Sequence, residues 1–69
     1  MKKTEVQVNQ IIYEDFSKHD QVETATATKW WNGEGVDIHI QRRNMSNINI
    51  SLTYDNISLF RKIFSDLDF

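Results

Sequence analysis

Asp37 and His39 stand two residues apart, a carboxylate and an imidazole with one isoleucine between them. On an extended strand that spacing puts both on one face, about 6.6–7 Å apart along the backbone. With Asn49 or Glu23 on a neighbouring strand, they would form a small metal or acid–base site. One histidine and one carboxylate fall short of the four ligands of a metal shell, and a structural pair or plain solvation is the preferred reading. His19-Asp20, beside Lys18, reads as a turn in which the aspartate caps its own backbone. Asn32-Gly33-Glu34-Gly35 is glycine-rich, yet it lacks the longer spacing and Lys-Ser/Thr ending of a phosphate-binding loop. There is no cysteine and no glycine-flanked nucleophile for covalent chemistry. No catalytic residue, cofactor or metal is assigned.

Arg42, Arg43, Arg61 and Lys62 could meet a few phosphates, with Tyr13 and Trp30 as a stacking platform for single-stranded bases. The net charge of −2, from eight basic and ten acidic residues scattered along the chain, argues against nucleic acid as the partner. A site also needs elements to hold it in a pocket that excludes water. A helix over one short sheet leaves little room for a pocket, so binding is expected rather than catalysis.

Those elements are legible from periodicity. The paired glycines mark a hairpin, since Asn-Gly supplies positive φ. Downstream, Val36, Ile38 and Ile40 alternate with Asp37, His39 and Gln41, and Ile48, Ile50 and Leu52 alternate with Asn47, Asn49 and Ser51. Both runs have the period of strands with one buried face. Residues 21–31, rich in Thr and aromatics, form the partner strand of the hairpin. Residues 6–13 form a first strand, with 16–20 as the loop behind it. The period then changes: Ile57, Phe60, Ile63, Phe64 and Leu67 recur at helical steps, Thr53 is an N-cap, and Asp55 complements the helix dipole. The expected fold is one α+β domain over residues 1–69. It is a three- or four-stranded antiparallel meander with one amphipathic C-terminal helix packed on one face, residues 1–3 being disordered.

Composition sets further bounds. With 39% hydrophobic residues and low net charge the chain is globular. At 69 residues and without disulfides, its core supplies only about 3–5 kcal/mol, which leaves tight packing or self-association to stabilise it. Met1-Lys2-Lys3 has the charge of a signal-peptide start, but the alternating residues 4–10 give no hydrophobic h-region. No apolar run approaches the roughly 20 residues of a membrane span. The expected location is the cytoplasm, with no membrane partner.

Register decides which face is free. A two- or four-residue loop at Asn-Gly places Ala25, Ala27 and Trp31 with Val36, Ile38 and Ile40, under the helix and its Phe60 and Phe64. Thr24, Thr26, Thr28 and Trp30 then point away. A three-residue loop reverses every side chain. In either case Trp30 and Trp31 cannot both lie under one helix on a regular strand. In the favoured register, Ile11, Tyr13, Thr28 and Trp30 join Asp37, His39 and Asn49 on the free face. This mixed aromatic and polar surface has the composition of a protein interface. These seven residues are the candidate partner-binding set, Trp30 being the candidate hot spot. The partner is another protein, either a host protein or a second copy forming a homodimer.

From Trp31-Asn32-Gly33-Glu34-Gly35 through Asp37-Ile38 to Ile50-Ser51-Leu52-Thr53 and the closing helix, the second half resembles small phage- and prophage-encoded accessory proteins. The resemblance implies a compact strand-plus-helix protein of a class in which some members bind and block a host protein. It assigns no residue a role. A structural homo-oligomer and a weak single-stranded nucleic-acid binder are the alternatives.

Overall fold

The structure, a computed structural model, describes residues 1–69. Five antiparallel strands follow one another in chain order in a single sheet: β1 (Lys2–Gln7), β2 (Gln10–Glu14), β3 (Val22–Lys29), β4 (Gly35–Arg42) and β5 (Ile48–Thr53). The helix α1 (Tyr54–Asp66) follows β5 directly. The fold is thus an α+β meander with a C-terminal helix, but it has five strands where three or four were expected.

The extra strand comes from a turn that no glycine or proline marks. Residues 6–13 are not one strand; the chain reverses at Val8 and Asn9, so that Gln7 pairs with Gln10. The Asn9 side chain donates to the Lys29 carbonyl at 2.7 Å, and the Lys29 amide donates to the Asn9 carbonyl at 2.7 Å. Those bonds tie the turn to the neighbouring strand. Lys2 and Lys3, expected to be disordered, open β1 opposite Glu14 and Tyr13. On an edge strand such lysines discourage pairing with a further chain.

The Asn-Gly hairpin has its expected geometry. The Trp30 amide donates to the Gly35 carbonyl at 2.9 Å, which leaves a four-residue loop, 31–34. Gly33 takes φ +74°, and the Glu34 amide donates to Asn32 Oδ1 at 3.0 Å. An even loop gives the favoured register: Ala25 lies opposite Ile40 and Ala27 opposite Ile38, while Thr26 faces His39 and Thr28 faces Asp37.

The sheet therefore has two unlike faces. On one, Ile11 and Tyr13 of β2 meet Ala27 and Ala25, beside Val36, Ile38 and Ile40 of β4, which oppose Leu52, Ile50 and Ile48 of β5. The other carries the threonines of β3, Asp37 and His39, and Ser51 and Asn49 opposite them.

Thr53 serves as the last residue of β5 and as the N-cap of α1. Its hydroxyl accepts from the Asn56 amide at 3.4 Å, and Asn56 Oδ1 accepts from the Thr53 amide at 3.2 Å, a reciprocal capping box. At the other end Asp68 adopts φ +62°, the Asp68 amide donates to the Ser65 carbonyl and the Phe69 amide to the Phe64 carbonyl. That pair of bonds is a Schellman cap, and it folds the Phe69 ring edge-on to Phe64 with centroids 6.2 Å apart.

The helix starts directly after β5, and only its first turns reach over the sheet, where Tyr54, Ile57, Ser58 and Arg61 line a depression with Val36 and Lys29. The helix meets the sheet at β5, and the Tyr54 amide donates to the Glu34 carbonyl at 3.1 Å. The expected cover over Ala25, Ala27 and Trp31 is therefore not formed. Trp31 lies in the hairpin loop, 77% exposed, and Phe64 is 50% exposed. No hydrophobic side chain is buried, and Gly35 is the one buried residue. The radius of gyration, 13.2 Å, exceeds the roughly 11 Å typical of a compact chain of 69 residues.

Candidate interaction surface

Five of the seven candidate residues come together on the polar face: Thr28, Trp30, Asp37, His39 and Asn49. Ile11 and Tyr13 do not join them. Pairing opposite Ala27 and Ala25 puts both on the apolar face, where Glu5 and Lys3 of β1 stand opposite them in turn.

Most of the polar face is bonded to itself. Ser51 Oγ donates to Asp37 Oδ1 at 2.5 Å. That bond and a second from the Trp30 side chain hold the Asp37 carboxyl below its ordinary range. His39 Nδ1 hydrogen-bonds Asn49 Oδ1, Gln10 Nε2 donates to Thr28 Oγ1 at 2.9 Å, and Thr24 Oγ1 donates to Gln41 Oε1 at 3.1 Å. Trp30 is half-buried, and its ring lies on Gly35. A Cβ at position 35 would fall 2.5 Å from Trp30 Cζ3 and 2.6 Å from the Leu52 carbonyl oxygen. The outward tryptophan thus has a structural seat: its ring covers Gly35, beside the Asp37 carboxyl.

A shallow depression of about 350 Å³ opens over Thr26, Thr28, His39 and Asn49. The Asp37 and His39 side chains at its rim are engaged by Ser51, Trp30 and Asn49, which leaves them poorly placed as a general acid–base pair. No group of three His, Cys, Asp or Glu side chains is placed to hold a metal ion. The base-stacking platform is not assembled either, since Tyr13 and Trp30 stand on opposite faces. Arg42 is occupied in holding the β4–β5 loop, with Nε donating to the Ser46 carbonyl at 2.7 Å and its amide to Asn47 Oδ1.

The apolar face is in the opposite condition. Ile38 and Ile40, in the middle of the sheet, are only half-buried, and Ile50 is 37% exposed. A second depression, of about 230 Å³, opens over Ile11, Ala27, Lys29 and Val36, and no helix residue lines it. Along α1 the apolar stripe emerges progressively: Ile57 and Phe60 are half-buried, then Phe64, Leu67 and Phe69 stand exposed. Phe60 and Phe64 stack at 6.1 Å, so the stripe is an ordered ridge of aromatic rings.

The sequence marked these residues as core. Their availability for binding shows only once the helix is seen to remain at β5.

No family model, no curated protein and no solved structure matches this chain.

Proposed function

We propose that this protein is a small, non-enzymatic protein-binding module, and that its docking surface is the apolar sheet face together with the exposed half of the helix stripe. One observation carries this: no hydrophobic side chain of the chain is buried, although most of its strand apolar residues, Ile12 excepted, lie on one sheet face and those of the helix form one stripe. Apolar area left in water forgoes about 25 cal/mol per Å² on burial, so a contiguous face of this kind is a binding surface. The polar face, self-bonded through Asp37, Ser51, His39 and Asn49, takes a supporting role. We place the module in the cytoplasm, in keeping with its cysteine-free composition.

Ile50→Asp, compared with Thr26→Ala, tests the surface. Each tagged protein is used for capture from bacterial lysate, and each is weighed in solution by sedimentation. Wild type and Thr26→Ala are expected to hold a stoichiometric protein, self or foreign, that Ile50→Asp loses. A wild-type protein that stays at 8.2 kDa and retains nothing would overturn the assignment.

A further inference from the structure

Resting on that reading, the geometry points to one occupant of the apolar face: a second copy of this chain. In the two-fold dimer we propose, the helix ridge Phe60–Phe64–Leu67 of each copy covers the Ala25/Ala27 trough of the other copy's sheet.

Surface area gives the first argument. The chain exposes 5583 Å², whereas a folded monomer of 8.2 kDa exposes about 4,500 Å². The excess, about 1,000 Å² per chain, matches the roughly 800 Å² that each partner buries in a standard stable interface. A dimer that removes it returns the chain to the surface-to-mass relation of ordinary folded proteins.

Shape gives the second. The thirteen residues of α1 span about 20 Å, and five strands spaced about 4.8 Å apart make a sheet about 19 Å wide. One helix is therefore long enough to cross the whole face, yet in its own chain only its first turns lie over the sheet, at β5 and beside Val36. The trough is lined by two alanines of β3, between Ile11 and Tyr13 on one side and Ile38 and Ile40 on the other. Large rings on the helix and small residues on the sheet are complementary parts of one core. The same chain carries both parts but holds them apart.

Symmetry gives the third. A two-fold contact needs a patch that complements itself, so that each residue pair occurs twice. Ridge-to-trough packing meets this condition, and it satisfies both unpartnered surfaces at once. The Schellman cap adds a preorganised end to the ridge, because Phe69 is held against Phe64 by backbone bonds before any partner arrives. A net charge of only −2 opposes self-association weakly.

The chain lacks cysteine, which makes the test clean. Ala27→Cys and Phe64→Cys are prepared separately, mixed, oxidised and separated on a non-reducing gel, with wild-type mass measured by sedimentation. The expected result is a wild-type species of twice 8.2 kDa and a mixed disulfide far more abundant than either homodisulfide. Phe64→Asp, at a position already half in water, is expected to raise the dimer dissociation constant by about 30-fold or more, as loss of a hot spot would. Leu67→Lys repeats that test with a second side chain. A dimer without the mixed disulfide overturns the ridge-to-trough arrangement. A monomer that captures a foreign protein through Ile50 overturns the choice of occupant and leaves the docking surface standing. A monomer indifferent to Ile50→Asp overturns both.

Discussion

The two faces of this one sheet solve the problem of a small chain in opposite ways. The polar face is closed within the chain: Asp37 is bonded by Ser51, His39 by Asn49, Thr28 by Gln10, and the Trp30 ring covers Gly35. The apolar face, built from the intervening residues of the same strands, is covered in the chain only by the first turns of α1 near β5 and Val36, and its β2–β3 half stays open. Hydrogen bonds are directional and short, so side chains on adjacent strands, about 4.8 Å apart, can satisfy one another locally. Apolar surface is satisfied only by a second layer, and a layer needs a connection long enough to fold back. Here Thr53 ends β5 and caps α1 in one residue, and that economy sends the second layer outward.

The contrast is open to attack at several points. Ile38→Ala, on the face assigned to a partner, is expected to cost about 2–4 kcal/mol of stability in urea unfolding under associating conditions. Thr26→Ala, its near neighbour on the polar face, should cost under about 1 kcal/mol, and equal losses would erase the distinction. Gly35→Ala comes next, at about 1–3 kcal/mol, because the new methyl group collides with the Trp30 ring and the Leu52 carbonyl. A red shift in tryptophan fluorescence should accompany that loss. Thr53→Ala removes one half of the capping box and is expected to lower stability by about 1 kcal/mol, read from the same unfolding curves.

Asp68→Gly should act in the other direction, adding about 0.5–1 kcal/mol by relieving a non-glycine residue at φ +62°. The smallest effect concerns pH. Hydrogen bonds from Ser51 and Trp30 keep the folded-state pKa of Asp37 below its ordinary 3.8. Its contribution is therefore complete above that value and is lost as pH falls through the lower, folded pKa. Asp37→Asn should flatten that acid limb of the stability profile while leaving the neutral region level. An unaltered acid limb would remove Asp37 from the network.

Much of this was legible in the residues themselves. Asn32-Gly33 fixed the hairpin, and with an even loop it fixed which of Ala27 and Thr28 faces Ile38. Thr53 and Asp55 marked the helix start because capping chemistry is local. The turn at Val8–Asn9 was hidden, since valine is a poor turn signal and the alternation of Val6 and Val8 runs into it unbroken. Hiding it also concealed the facing of Ile11 and Tyr13, which follows from pairing with β3. Likewise, the spacing of Phe60, Phe64 and Leu67 states that a stripe must be covered, but periodicity carries no information about which chain covers it.

The most direct measurement is an isotope-filtered NOE experiment on an equal mixture of isotope-labelled and unlabelled protein. Cross-peaks between the Ile38 and Ile40 methyls of labelled chains and the phenylalanine ring protons of unlabelled chains are expected. Methyls that show ring contacts only within their own chain, or none at all, would contradict the claim that a second copy closes the apolar face.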